Sequence, residues 1–354
     1  MQDVDKTKTL NPQIKEAAIR YVKRMYQNNR DSDIMRVLKK ESFKHVYKKM
    51  VVDPDEFKVK PRPADIGAWN GRKPESPKDF LKSKVVLPSL PQVLIEIQKI
   101  IQDPGSSADD LARVLNKDPK LVASILRLSN SAMYSFRTEV DTTSRAVALL
   151  GFKQASSLAL GTVSLSLFKR SMKGAVLHVE KFWKHCIACG VIAQAIAEAA
   201  GCENVERFFV AGMLHDIGLY VIFESDASLA QELVDLAGKE GNCLCDAEME
   251  LLGFDHATLG GVILKDWSFP TMLVRSTAGH HDPSKVVDDP DSGIVYIAEF
   301  IAQALGYDLG LSLIVGTLND EIIESIGLPP ERYVEILPSV HKIIDEIFEI
   351  LNPS

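Results

Sequence analysis

Histidines are concentrated in the second half of the chain, where their spacing suits a metal site. Six of the eight histidines lie between His178 and His281. His215 is followed directly by Asp216, so an imidazole and a carboxylate occupy neighbouring positions. These donor types suit a borderline or hard divalent ion such as Mn, Fe or Zn. The pair therefore predicts a divalent metal site.

Other candidate ligands lie on both sides of this pair, in segments with helical periodicity. They are four histidines and one glutamate: His185, His256, His280, His281 and Glu299. Metal sites are common inside helical bundles, because each facing helix can contribute a side chain. The sequence therefore predicts that these five residues join His215 and Asp216 in one pocket.

Each of these residues also has an ordinary structural role open to it. A lone buried histidine is more often a hydrogen-bonded core residue than a ligand. His280 and His281 could simply end a helix, where imidazole interacts well with the dipole, and Asp216 could cap a turn. Several histidines at the ends of different apolar helices favour the pocket. Gly212 and Gly218 would allow close backbone approach and a helix end beside the His-Asp pair.

The segments that position these residues are predicted to be helical. Apolar residues recur at helical spacing, and the sequence contains no convincing run of alternating strand residues and no repeat of fixed length. The predicted fold is therefore all-α. Helix starts are indicated by three capping signals: Asn11 before Pro12, Ser107 with Asp110, and Asp118 before Pro119. The helices expected around the pocket span 179–200, 205–214, 256–267, 270–279 and 293–305.

Proline and glycine divide the chain into predicted units. Residues 53–80 are rich in both and indicate a linker. A small basic helical module of residues 1–52 precedes this linker. A helical domain of residues 81–305 follows it, with the pocket in 178–305, and residues 306–354 form a helical extension packed on that domain.

Composition and cysteine content favour a soluble protein of the cytoplasm. Of 354 residues, 46% are hydrophobic and 25% charged, the usual globular balance. Residues 1–10 lack the apolar core of a signal peptide. The apolar stretch 146–168 is interrupted by Lys153 and Gln154 and is too short to span a membrane. Five cysteines, an odd number, do not predict a disulfide framework. We expect a reducing compartment and no membrane contact.

Charge is distributed unevenly along the chain. Through Lys84 the sequence has 21 Lys and Arg against 12 Asp and Glu, a balance of +9, and the remainder has 20 against 36, or −16. A basic arm can meet nucleic acid, a membrane or an acidic partner, or it can dock on its own acidic neighbour. The basic stretch lacks the interleaved aromatic residues of a stacking surface, so nucleic acid is the disfavoured partner.

The His-Asp string at 211–218 (AGMLHDIG) resembles that of the HD superfamily of metal-dependent phosphohydrolases. The stretch from about Leu87 to Pro283 resembles the HDOD branch, the HD-related output domain of bacterial signalling proteins. This likeness covers a little over half the chain. It rests on a set of short strings: 87–91 (LPSLP), 117–121 (KDPKL), 126–131 (LRLSNS) with Tyr134, 146–151 (AVALLG), His256 with Gly260, 267–270 (WSFP) and 280–283 (HHDP).

The resemblance implies an HD-superfamily helical bundle and a ligand set. The superfamily's first ligand is a histidine tens of residues before the His-Asp pair, which His185 matches. Related HD-GYP phosphodiesterases add a later histidine, a His-His pair and an aspartate, matched here by His256, His280 with His281, and Glu299. Many HDOD domains have lost such ligands and act as binding or scaffolding modules. This chain has kept most of them, so the resemblance implies one or two bound divalent ions.

Two departures from the active HD-GYP pattern bear on turnover. Leu219 stands where active enzymes have a lysine that stabilises phosphate charge. The Gly-Tyr-Pro signature after the histidine pair is replaced by residues 282–285 (DPSK). Metal binding survives such changes more easily than catalysis does.

Three classes of function follow from these features. The first is a signal-transduction output protein whose pocket binds metal, phosphate or a nucleotide and whose surface engages a signalling partner, with homo-oligomers as a further option. The second is a metal-dependent phosphohydrolase acting on a nucleotide or phosphodiester. Its ions would activate water, with Asp216 and His256 as the catalytic residues. The third is a nucleic-acid-associated regulator acting through the basic N-terminus. The first is the preferred interpretation.

Two further motifs are interpreted as structural. Cys186-x-x-Cys189 and Cys243-x-Cys245 resemble zinc or redox motifs, but the first pair lies in an apolar helix and the spacing between pairs exceeds that of a zinc ribbon. Residues 107–130 resemble a helix-turn-helix, but its second helix is largely apolar and offers few residues for base contacts. Core packing is expected for both.

Overall fold

Helices are the regular elements of this protein. The computed structural model describes residues 11–52, 66–84, 87, 89–167, 177–238, 242–311 and 315–351, and within these ranges it contains no strand. The all-α prediction is therefore confirmed for the described part of the chain. The predictions made for residues 1–10 and 53–65 lie outside the described residues.

The helices fall into four groups along the chain. An N-terminal pair and a short helix come first: α1 (Pro12–Met25), α2 (Asp33–Val52) and α3 (Pro77–Lys84). Five helices follow: α4 (Gln92–Gln102), α5 (Ala108–Leu115), α6 (Pro119–Ser129), α7 (Thr143–Leu150) and α8 (Phe152–Ser166). The histidine-rich region holds nine: α9 (Val179–Ala199), α10 (Glu206–Leu214), α11 (Ile217–Ser225), α12 (Ala227–Ala237), α13 (Leu244–Leu251), α14 (His256–Asp266), α15 (Thr271–Gly279), α16 (Pro283–Val286) and α17 (Pro290–Ala304). The last group is α18 (Asp320–Ile326) and α19 (Pro330–Leu351).

The predicted capping signals start helices as expected. The Asn11 side chain accepts from two amides of the first turn of α1, and Asp118 does the same for α6. Ser107 and Asp110 form a reciprocal capping box on α5. These bonds satisfy amides that have no partner inside the helix, which explains why the polar residues lie where the apolar runs begin.

Helix α9 lies at the centre of the histidine-rich region and packs against α10, α17 and α19. Its contact with α10 is close because both helices have glycine at the crossing. A Cβ atom on Gly212 would lie 2.5 Å from the backbone nitrogen of Gly190, so a larger residue would force the helices apart. This close crossing brings His185 of α9 next to His215, which follows the last residue of α10.

The His-Asp pair lies at the break between α10 and α11. Residues Glu206–Ser225 are together long and apolar enough to cross a membrane. However, 89% of their apolar stretch is buried inside the protein, as in a core helix. The helix end expected beside the pair is present, since α10 ends at Leu214, although Gly218 itself lies within α11. The close approach expected of Gly218 is confirmed: a Cβ atom there would collide with the His256 carbonyl and lie 2.6 Å from the Gly260 nitrogen.

The first two helices contact the C-terminal part of the chain. Helix α2 packs against α17 and α19. The Ser42 hydroxyl donates to the carbonyl of Ala304, and the Tyr26 and Phe300 rings lie 6.1 Å apart. The expected N-terminal module therefore docks on its own chain through at least these contacts. The unit boundaries at 53–80, 81–305 and 306–354 remain predictions.

Candidate metal centre

His215 and Asp216 are buried between α10 and α11, with 0% and 3% of their surface exposed. The Nδ1 atom of His215 lies 2.6 Å from the carbonyl of Gly212. A carbonyl only accepts, so Nδ1 carries a proton and Nε2 is the ring nitrogen left to ligate. Nε2 faces Glu299, whose Oε2 is 3.2 Å away. The fold thus presents His215 in the tautomer that a metal ligand requires.

The first half of the centre surrounds the Oδ2 atom of Asp216. His185 of α9 donates from Nδ1 to the carbonyl of Tyr307 at 2.6 Å. Its Nε2 lies 3.3 Å from Nε2 of His215 and 3.0 Å from Oε2 of Glu299 on α17. Asp216 Oδ2 is 3.4 Å from both imidazoles. Two imidazole nitrogens and two carboxylates therefore converge on one place, an arrangement that suits a bound cation.

The second half surrounds the other oxygen of the same carboxylate. Asp216 Oδ1 lies 3.2 Å from Nε2 of His256 and 3.4 Å from Nε2 of His280. The Nε2 atoms of His256 and His281 are 2.9 Å apart. His280 donates from Nδ1 to the carbonyl of Thr277 at 2.7 Å, so its Nε2 is also free. One donor atom from each of these four residues lies within 4.8 Å of the others.

All seven residues predicted for the pocket therefore meet at one place. They form two adjacent donor sets that share Asp216. Six of them are buried: His185, His215, Asp216, His256, His280 and Glu299. His281 is partly exposed, so it marks the side of the centre nearest the surface.

Glu248 of α13 is part of the arrangement and was not predicted. Its side chain is 0% exposed. It accepts from the backbone amide of His256 at 2.8 Å and from Nδ1 of the same residue at 2.7 Å. The carboxylate thus fixes both the backbone and the ring tautomer of His256, as carboxylates do for metal-bound histidines. In sequence it is one of three acidic residues in α13, with Asp246 and Glu250.

Two atoms of the centre lack hydrogen-bond partners although they are buried. They are Oδ1 of Asp216 and Nε2 of His280. Buried polar atoms are nearly always satisfied, since leaving one unpaired costs free energy. Both atoms are acceptors here and face each other. The donor set of nitrogen and carboxylate oxygen fits a borderline divalent ion.

Charge within the centre is balanced between imidazoles and carboxylates. Burial raises the pKa of Asp216, but His215, His185 and His256 outweigh it and hold that pKa well below its ordinary value. Burial lowers the pKa of His215, but the neighbouring carboxylates reverse this and raise it to about 9, so without metal its Nε2 also holds a proton, which a bound ion would displace. Burial and the adjacent His280 hold the pKa of His281 well below its ordinary value. The carboxylates are therefore ionised and attract positive charge, while His281 stays neutral and able to ligate.

The cysteines of α9 are buried, as core packing requires, but one of them touches the centre. The Cys189 thiol donates to Oε2 of Glu299 at 2.9 Å, a contact that was not predicted. Its spacing of four residues from His185 places both on one face of the helix, a signal that could have revealed it. Cys243 lies outside α9 and caps α13.

The departures from the active HD-GYP pattern have structural consequences. Leu219 is 1% exposed within α11, so an apolar side chain fills the position expected to carry a lysine. Residues 282–285 start α16: Asp282 caps it, and Lys285 pairs with Asp282 at 3.1 Å. In this chain the segment after the histidine pair therefore builds a short capped helix.

The helix-turn-helix resemblance at α5 and α6 has a structural explanation. Leu121, Ile125 and Leu128 on α6 are buried. Asn130, a candidate for base contact, donates to the carbonyl of Val140 at 2.8 Å and accepts from its amide at 2.8 Å. Asn130 thus secures the loop after α6, in keeping with the expected core packing.

Comparison with known proteins places this geometry in a family context. The HDOD domain family matches residues 87–283. A candidate phosphohydrolase from Shewanella amazonensis has a similar structure, with a TM-score of 0.63 and 24% identity, covering 78% of this chain and 97% of that one. A candidate signal-transduction protein from Marinobacter aquaeolei gives a TM-score of 0.58 and 20% identity, covering 81% of this chain and 62% of that one. At these identities the similarity shows the fold alone.

A curated relative from Treponema pallidum, an uncharacterized protein, is 24% identical over 255 residues. The match covers 70% of this chain and 48% of the relative. The chain thus spans about half the length of the curated relative that it matches.

Proposed function

The chain belongs to the HDOD domain family, and from this premise we propose that it is a bacterial signal-transduction output protein whose buried centre binds divalent metal. The observation that carries the proposal is the position of Asp216. Its Oδ2 faces His185 and His215 at 3.4 Å, and its Oδ1 faces His256 and His280 at 3.2 and 3.4 Å. A single carboxylate that serves two imidazole sets fits a pair of adjacent ions.

The residues fit the proposed ions as two donor sets. His185, His215 and Glu299 would hold one ion, and His256, His280 and His281 the other, with Asp216 shared. Bound there, divalent ions would supply Lewis-acid polarisation of a phosphate group. The chain's own hydrogen bonds keep the Nε2 atoms of His185, His215 and His280 directed inward, because each Nδ1 donates to a backbone carbonyl.

A phosphohydrolase is the second candidate. The shared carboxylate favours it, since paired ions clamp phosphate esters in many hydrolases. Two observations support a binding role over turnover. Six of the seven residues are at most 5% exposed, which excludes water and substrate from most of the centre, and Leu219 provides no charge for phosphate.

The two candidates differ in a direct assay. Protein loaded with Mn²⁺ or Fe²⁺ is incubated with phosphodiesters and nucleotides, and both product and equilibrium binding are measured. We expect no turnover above that of Asp216→Asn. Turnover that is abolished by this substitution would establish the hydrolase instead.

The metal itself is tested by elemental analysis of purified protein. We expect one to two equivalents of divalent metal in the wild type and a marked loss in His215→Gln. His178→Gln is the matched control, because His178 is an exposed histidine that belongs to none of the donor groups. Wild-type protein with less than one equivalent after both aerobic and anaerobic purification would refute metal binding.

A further inference from the structure

Cys189 lies in the first half of the centre, where the family resemblance supplies only histidine and carboxylate. It is 0% exposed and follows His185 by one helical turn. Its Sγ atom is 2.9 Å from Oε2 of Glu299 and 3.8 Å from Nε2 of His185. Donor atoms from Cys189, His185, His215 and Glu299 all lie within 4.8 Å of one another.

These separations are close to those of a tetrahedral site. With metal–nitrogen bonds of about 2.0–2.1 Å and metal–sulfur bonds of about 2.3 Å, the edges of a tetrahedron are roughly 3.3–3.6 Å. The two imidazole nitrogens are 3.3 Å apart, and the sulfur is 3.8 Å from the nearer one. The sulfur–carboxylate separation is shorter because the thiol proton lies between the two atoms. Loss of that proton on metal binding would leave both as ligands of one ion.

We propose that Cys189 is a metal ligand, so that His185, His215, Cys189 and Glu299, beside the shared Asp216, form a site selective for Zn²⁺, Fe²⁺ or Co²⁺. The proposal rests on the proposed function, that the centre binds divalent metal. A thiolate favours these ions over Mn²⁺ and Mg²⁺, which prefer oxygen. The donor group of Asp216, His256, His280 and His281 contains no sulfur, and Cys245 groups only with Glu248 and His256, so the two halves would differ in metal preference.

Cys186 is a natural comparison. It lies on the same helix and is 1% exposed, but it is not a member of the donor group. A cysteine that is merely buried should therefore behave like Cys186, whereas a ligand should not.

The test uses full-length protein loaded with Co²⁺ and its absorption spectrum. A cobalt–thiolate bond gives a charge-transfer band in the near ultraviolet, whereas the visible d–d bands report bound cobalt whatever the ligands. Cys243 and Cys245 are replaced by serine in every protein, because their thiols are close enough to interact. In this background we compare Cys186→Ser with Cys189→Ser. A third protein keeps Cys189 as its single cysteine and decides the question even where Cys189→Ser does not fold.

We expect the charge-transfer band in the Cys186→Ser protein and in the protein that keeps Cys189 alone. Cys189→Ser should lose the band but keep visible d–d bands from cobalt on the remaining ligands. It should also weaken Zn²⁺ binding by at least about 10-fold with a smaller effect on Mn²⁺.

Visible cobalt bands without a charge-transfer band in the protein that keeps Cys189 alone would overturn the thiolate ligand while metal binding stands. Absence of any cobalt bands would overturn both the ligand and the proposed function.

Discussion

Glu248 gives the most specific prediction for the second half of the centre. In the wild type the Glu248 carboxylate lies 2.8 Å from the His256 amide nitrogen and 2.7 Å from its Nδ1. Replacing Glu248 by glutamine keeps an oxygen that can accept from these two groups, but it removes the negative charge that makes the imidazole a stronger base. Replacing it by alanine removes both bonds and leaves a buried amide unpaired.

The expected magnitudes follow from these two losses. Loss of a residue that orients a metal-bound histidine typically costs 10–100-fold in affinity, about 1.4–2.7 kcal/mol. Glu248→Gln should fall near the lower limit and Glu248→Ala near the upper limit. The alanine variant should also lose about 1–3 kcal/mol of unfolding free energy from the unpaired amide.

The measurement is a titration of metal-free protein with Mn²⁺ and Zn²⁺ by calorimetry, which resolves the two equivalents. Only one of the two metal equivalents should bind more weakly, because Glu248 bonds to His256. The histidines of the other half, His185 and His215, are oriented by backbone carbonyls. Glu250→Gln is the matched control, an exposed glutamate on the same helix. Equal weakening of both equivalents, or of neither, would refute the reasoning that Glu248 acts through His256.

Three other changes have defined outcomes. Gly218→Ala should lower the free energy of unfolding by about 1–3 kcal/mol, because the added methyl group overpacks α11 against α14. The measurement is denaturant unfolding, and the control is Gly67→Ala, which should be neutral because its Cβ would meet no atom within 4 Å. Equal effects of the two substitutions would contradict the close approach of Gly218. Adding metal to metal-free protein at about 100 times its Kd should stabilise the fold by about 2.7 kcal/mol, and a Tm independent of metal concentration would contradict binding to the folded state. Burial raises the pKa of Glu206 from 4.5 to about 7, because the folded protein disfavours the ionised carboxylate. The free energy of unfolding of the wild type should therefore fall as the pH rises from 4.5 to 7. Glu206→Gln should therefore be more stable than the wild type above pH 7 and equal to it below about pH 4.5, and a difference that does not vary with pH would argue against this titration.

The seven pocket residues could be predicted from the sequence because their donor types are distinctive and the family resemblance supplied their spacing. Glu248 could not, because its role depends on which helix end lies opposite it. One of three acidic residues in a short helix gives no such information by itself. Cys189 could be predicted only in part. Its spacing of four residues from His185 can be read from the sequence, but its contact with Glu299 depends on how α9 and α17 pack.

The helical fold was predictable for a different reason. Capping residues such as Asn11 and Asp118 act on their own helices, so local sequence is sufficient to predict their effect. Helix α11 was missed because Gly218 indicates a helix end and because this helix is buried on every side, which removes the amphipathic pattern. Only the packing of Gly218 against His256 explains why a glycine continues this helix.

The most direct test of the account is anomalous scattering from crystals of the purified protein. We expect two metal peaks, one beside each oxygen of the Asp216 carboxylate, separated by about 3.5–4 Å as in other paired metal sites. One peak would lie among His185, His215 and Glu299 and the other among His256, His280 and His281. Crystals of protein prepared with and without oxygen that show no anomalous peak beside Asp216 would contradict it.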